Sequence, residues 1–307
     1  MEYKTIAELV NTAADKGLKI SELVLKDQSK FLEETEAECF GRMEENLNVM
    51  LEAIEKGTSP SIKSTSGLTG GDAYKIYERE ENGQTLCGPL ITNAIRMSIA
   101  VSELNAAMGK ITATPTAGSC GILPGAIGAV IKVKNVKKKD AVMALFTAGA
   151  IGLVIANTAS ISGAEGGCQA ECGSASAMAA AAITELCGGS PEAVMHACAI
   201  AIKCITGLVC DPVAGLVEIP CIKRNASGVT LAFTAAEMAL AGIKSMIPAD
   251  EVIQVMKKVG DSLPAALRET AEGGLADTPT GRKLQKAVFG EQSANTHNCS
   301  VCGGCKA

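Results

Sequence analysis

From residue 141 to 164 not one side chain carries a charge, in a 307-residue chain of which 20% is charged. A run of that length has two stable homes: a bilayer, which it is long enough to cross, or the middle of a helical protein. Lys137, Lys138 and Lys139 just ahead of it resemble a cytoplasmic flank. Its second half, however, holds Asn157, Thr158, Ser160 and Ser162, its glycines and alanines lower its transfer energy, and no aromatic belt borders it. The run therefore reads as the central helix of a globular protein, buried on all sides.

The composition points the same way. Hydrophobic residues make up 47% of the chain but aromatics only 3%, with no Trp. A core so poor in rings is built from Ala, Ile, Leu, Val, Met and Cys, and small side chains let helices approach closely. Alternation with period two is absent, so the fold class is mainly α. Helices are expected over residues 19–25, 31–54, 91–108, 175–186, 191–205, 226–243 and 251–259. One large helical domain, 1–290, precedes a cysteine-rich tail, 291–307. A formal net charge of -5 with few stacking aromatics excludes a nucleic-acid footprint. The first residues show no apolar signal region, so a cytoplasmic location and reduced thiols are expected.

Thirteen cysteines in such a compartment are metal ligands, small hydrophobes or a redox device before they are a disulfide framework. Cys39, Cys187, Cys198 and Cys204 fall in helix-like runs and read as packing residues. Cys168, Cys210 and Cys221 instead sit in turns marked by glycine or proline, where a thiolate can point at something other than core. Their spacing does not make zinc knuckles, whereas iron–sulfur clusters accept varied spacings. Three ligands would leave one iron open as a Lewis acid. The tail adds Cys299, Cys302 and Cys305, a metal or redox spacing or a non-essential end.

Two small-residue segments accompany them. Residues 65–72 form a loop that either brings backbone N–H groups to an anion or simply connects two helices. Residues 112–125 hold two prolines and three glycines, which rule out one continuous helix. Their hydroxyls and Cys120 suit a pocket wall or, equally, a tight turn over a buried cysteine. For a proton acceptor the sequence offers little. His196 lies within a helix and reads as a satisfied core or surface residue, and Glu165 is better placed, three residues before Cys168, unless it only stabilises the turn.

Five motifs in order resemble one family, the oxygen-sensitive iron–sulfur-dependent L-serine dehydratases, in their α (catalytic) chain. They are S-G-L-T-G-G-D-A (66–73), T-P-T-A-G-S-C-G-I-L-P-G (114–125), G-A-E-G-G-C-Q-A-E (163–171), C-D-P-V-A-G-L-V-E-I-P-C-I-K-R-N-A (210–226) and L-R-E-T-A-E-G-G-L-A-D-T-P-T-G (267–281). The resemblance implies a [4Fe-4S] cluster on Cys168, Cys210 and Cys221, and no pyridoxal phosphate. It implies water elimination from L-serine to give pyruvate and ammonia, the open iron taking the substrate carboxylate and β-hydroxyl. Ser66, Gly67, Thr116, Ser119 and Asn225, within these motifs, are the candidate substrate contacts. In some relatives a C-terminal cysteine occupies the open iron at rest, a role for which Cys305 is the candidate here, with Cys299 and Cys302 competing. Single-chain members carry a further domain with an S-x-x-x-H-T-x-G-P-like segment; its absence here implies a separate β subunit. The rival readings are a cysteine desulfidase on the same cluster and a non-catalytic iron–sulfur protein for electron transfer or regulation.

Overall fold

Regular structure among residues 3–290, the part that this computed structural model describes, is helical throughout, in line with the mainly α expectation. His297, Cys299, Cys302 and Cys305 lie outside the described residues. In chain order the helices are α1 (Ile6–Asp15), α2 (Ile20–Leu32), α3 (Glu36–Gly57), α4 (Asp72–Glu81), α5 (Gly88–Ala106), α6 (Ile122–Lys134) and α7 (Lys138–Thr158). There follow α8 (Gly163–Gly166), α9 (Cys168–Leu186), α10 (Pro191–Ile205), α11 (Cys221–Leu240), α12 (Ala249–Ser262) and α13 (Pro279–Phe289).

The helix at the centre is α9, not the uncharged run. Apart from Glu171 and Leu186 every residue of α9 is buried, and α6, α7, α10 and α11 all pack against it. Its Ala179–Ala182 run presents no side chain longer than a methyl, so neighbours close in from every direction. The uncharged run forms α7, which is long and apolar enough to cross a membrane, yet most of that stretch is covered by the fold. It departs from the expectation in two ways. Gly149, Leu153, Ala156 and Asn157 lie exposed along one stripe, because α2, α3 and α9 cover only the remaining sides. It also ends at Thr158, where Asn157, Thr158 and Ser160 bring side chains that compete for backbone hydrogen bonds; the Thr158 hydroxyl donates to Val154 O at 2.7 Å.

Other boundaries moved for local reasons. The expected 31–54 helix is divided: Phe31 and Leu32 finish α2, Glu33 turns left-handed (φ 56°), and Thr35 with Glu38 forms a capping box that starts α3. Between residues 112 and 125 the chain turns as expected, but α6 already opens at Ile122 and accommodates Pro124 in its first turn, where its missing N–H has no partner to lose. Four helices, α1, α4, α6 and α13, fall outside the expected set, as does the single-turn α8. Most consequential for the site, α9 begins seven residues before the expected 175, at Cys168 itself.

Candidate active site

The three cysteines come from two kinds of backbone. Cys168 and Cys221 are the first residues of α9 and α11. A helix start presents unpaired N–H groups and a positive dipole end, which favour negative charge and hence a thiolate. Cys210 lies in an extended segment fastened to residues 267–269: its N–H donates to Leu267 O at 2.9 Å, and Glu269 N–H donates to Cys210 O at 2.8 Å. All three side chains are buried. The turn placement expected for them thus becomes two helix starts and one bridged strand-like segment.

Their electrostatics follow from this packing. Cys168 Sγ and Cys172 Sγ, one turn apart on α9, share a hydrogen bond at 3.4 Å, and the Arg224 guanidinium lies close by; together they hold the Cys168 thiol below its usual range against the cost of burial. Burial pushes Cys221 up to about 12, and the neighbouring Cys168 and Glu171 charges add to it. Cys210 is raised by the same causes in the same order, with Glu269 also contributing. Buried thiols in which the Cys168 charge disfavours ionisation of Cys210 and Cys221 are a donor set whose charge a cationic metal group offsets. Among the described residues no three His, Cys, Asp or Glu side chains converge closely enough for a single metal ion.

Two glycines let side chains of the site pack directly against the backbone. A Cβ at Gly163 would stand 2.9 Å from Cys210 Sγ, 3.2 Å from Glu269 Oε2 and 3.4 Å from Glu171 Oε2. One at Gly118 would meet the Glu171 carboxylate at 2.5 Å. The Thr116 hydroxyl donates to Glu171 Oε1 at 2.5 Å. Burial raises the Glu171 carboxyl above the ordinary carboxylate range; the Thr116 bond opposes this and the Glu269 charge adds to it.

The surrounding shell is tied together by charged and amide groups. Arg224 donates to Val209 O at 2.8 Å and pairs with the buried Asp211 at 2.8 Å, whose other oxygen accepts Leu275 N–H at 2.8 Å. The two segments that flank Cys210 and α11 are thereby joined. Asn225, also buried, accepts Gly121 N–H and donates to Gly118 O and Cys221 O, which fixes the 118–121 turn on α11. Ser119 is fully buried and closes the same turn through Thr114 O. Both side chains are thus engaged by the protein itself. The 65–72 loop reaches the region through Thr69, whose hydroxyl donates to the buried Glu218 at 2.6 Å, between Cys210 and Cys221. Within that loop the Ser66 hydroxyl accepts Leu68 N–H at 3.1 Å, and Gly67 is exposed.

Among acid–base candidates, Glu165 sits exposed on α8, while His196 accepts Ser245 N–H at 3.3 Å through Nδ1 but is only half satisfied, its buried Nε2 having no hydrogen-bond partner and lying 3.6 Å from Glu192 Oε1. Cys120 is buried, its thiol pushed up to about 12 by desolvation. The carboxylate set among the thiols is Glu171. Its signal was present in the sequence, three residues after Cys168, but becomes readable only once α9 starts at Cys168 and puts both on one face. A separate surface groove of about 1180 Å³, lined by residues such as Leu25, Phe40, Lys137 and Met143, shares no residue with this site.

This arrangement coincides with a known family. Residues 15–276 match the family described as serine dehydratase alpha chain. A probable L-serine dehydratase alpha chain of Bacillus subtilis is 52% identical over 288 residues, covering 94% of this chain and 96% of that one. The L-serine dehydratase alpha chain of Peptoniphilus asaccharolyticus is 44% identical over 287 residues, 94% of this chain and 98% of that one. An L-serine dehydratase of Streptomyces coelicolor is 38% identical over 280 residues, which cover 89% of this chain but 60% of that longer protein. With the match running from the end of α1 past Cys168, Cys210 and Cys221 to residue 276, the chain belongs to the serine dehydratase alpha chain family.

Proposed function

We propose that this chain is the catalytic subunit of an L-serine ammonia-lyase, converting L-serine to pyruvate and ammonia, and that Cys168, Cys210 and Cys221 hold a [4Fe-4S] cluster. One observation carries the reading: three buried thiols brought together from two helix starts and one bridged segment, with Arg224 and two helix dipoles supplying positive charge. When bound, the cluster supplies a Lewis-acidic iron that favours departure of the substrate hydroxyl. The chain's residues do the rest. Gly163 and Gly118 let Cys210 and Glu171 approach the backbone closely, Asn225 and the Arg224–Asp211 pair hold the walls in register, and the buried surroundings strengthen every charge interaction inside. Relatives named as alpha chains support a separate β chain as partner, with a reducing, cytoplasmic setting for the thiols.

The test is anaerobic purification of wild type beside Cys210→Ser, with absorption spectra and iron and sulfide content. About four irons per chain, lost in the variant, is the expected result, followed by pyruvate release from L-serine once the partner chain is added. A colourless protein that resists reconstitution, or a variant as brown as wild type, would remove the ligand set. Turnover of L-cysteine in preference to L-serine would redirect the reading to a desulfidase; a loaded protein that turns over neither would redirect it to electron transfer or regulation.

A further inference from the structure

We propose that Cys168 and Cys172 form a redox modification site, a dithiol that peroxide converts in the cluster-free chain to an intrahelical disulfide, withholding Cys168 until a thiol reductant releases it. The inference rests on the cluster reading above for what Cys168 holds when reduced, but not for the chemistry of the pair. Cys168 Sγ and Cys172 Sγ stand 3.4 Å apart, and both side chains are buried. Among the described residues no other two cysteine sulfurs share a hydrogen bond. Helix geometry produces the contact. Residues four apart lie on one face, and side chains lean toward the helix N-terminus, so Cys172 reaches back over Cys168. On a regular helix their Cα atoms are about 6 Å apart, inside the span that a disulfide bridges. Their Cβ atoms, at about 5–6 Å, must close by roughly 1–2 Å. The first turn of α9 can give that much. Cys168 is its first residue, whose N–H has no partner within the helix, and Gly167 before it (φ 75°) puts no side chain in the way of a rotation.

The reaction balances with hydrogen peroxide as the oxidant. One thiolate attacks a peroxide oxygen and the O–O bond breaks. That sulfur becomes a sulfenic acid, and the departing hydroxide takes the thiol proton to give water. The second thiolate attacks the oxidised sulfur, the S–O bond breaks, and the leaving hydroxide takes the second proton. Two thiols and one peroxide thus give one disulfide and two waters, the sulfurs losing the two electrons that the O–O bond gains. A sulfenic acid without a neighbouring thiol moves on to sulfinic acid, which a thiol reductant does not reverse. Cys172 therefore decides whether oxidation at Cys168 can be undone.

The test uses the full chain stripped of iron by a chelator, as wild type and as Cys172→Ala, a change that suits a helix already rich in Ala. Each is treated with hydrogen peroxide and its free thiols are blocked. The cysteines that dithiothreitol then releases are labelled and located by mass spectrometry. In wild type, Cys168 and Cys172 are expected to be released together, with no second peptide attached to theirs. Reloading with iron and sulfide after dithiothreitol should return wild type to the iron content of untreated protein. Cys172→Ala should lose most of that uptake and carry sulfinic acid at Cys168. The proposal is overturned if Cys168 is linked to Cys210, Cys221 or a cysteine of residues 291–307, if peroxide leaves neither Cys168 nor Cys172 releasable, or if Cys172→Ala reloads as fully as wild type. The wild-type map decides the pairing even where Cys172→Ala loses its helical dichroism. Untreated wild type that takes up no iron sinks the cluster reading, while the Cys168–Cys172 disulfide stands or falls by the mapping alone.

Discussion

The helices α7 and α9 have similar lengths and similarly apolar sequences, yet they occupy different places. Along α7, large side chains such as Leu145, Phe146 and Ile151 gather on the covered sides, and a stripe through Gly149 and Leu153 meets solvent. In α9 the side chains are mostly Ala, Ser, Gly and Cys, and four helices surround it. Close approach is visible in its contacts: Ser176 donates to Gly228 O of α11 at 3.0 Å, and a Cβ on Gly152 of α7 would strike Met178 Sδ at 2.8 Å. Small volume, more than hydrophobicity, is what puts a helix at the centre of this molecule. The same closeness brings the start of α9 near the start of α11, so that the Cys168 charge is felt by Cys221 and by Cys210.

The contrast can be broken by substitution. The largest effect is expected from Cys168→Ala, which should remove the bound iron and all turnover while far-ultraviolet dichroism stays helical; a variant that still binds iron fully would detach α9 from the chemistry. Next, Ala180→Leu forces three extra carbons into a fully buried position of α9 and should lower apo-protein stability by about 1–3 kcal/mol. An unchanged urea midpoint would contradict the all-round burial. The two helices are also joined by a hydrogen bond from the Thr147 hydroxyl of α7 to the buried Glu185 of α9 at 2.9 Å. Thr147→Val should cost about 1 kcal/mol by the same measurement, and a neutral result would mean that Glu185 is held by Ser21 N–H alone. Smallest, and opposite in sign, Gly149→Ala on the open stripe of α7 meets nothing within 4 Å and should stabilise by about 0.5–1 kcal/mol. Destabilisation there would show that the stripe is covered in solution.

What could be read in the sequence follows the same division. Helical character and the 191–205 element were legible because Ser190 and Pro191 mark a cap and a first turn, and the structure starts α10 at Pro191. The order of burial between α7 and α9 was not, since absence of charge reports hydrophobicity while centrality depends on the volume of neighbouring side chains. The cysteines stood out by their turn signals, yet Gly167 and Pro220 marked the residues just before helices, not irregular loops. Missing that start concealed Glu171. The Arg224–Asp211–Leu275 link joins residues far apart in the chain, and no local pattern announces it. Asn225 carried a motif signal but not its meaning, because only the packed 118–121 turn shows what its amide holds.

The pairing of Cys210 with residues 267–269 also imposes an order on biosynthesis. All three cysteines have been translated by residue 221, but the backbone of Cys210 acquires its partners only when the chain has grown nearly fifty residues further. The same late segment delivers Leu275 to Asp211, and with it the clasp on Arg224. A nascent chain therefore exposes its thiols well before it can fix all three of them. The site is closed by the last quarter of the fold, so the three thiols reach their final arrangement only late in the making of this protein.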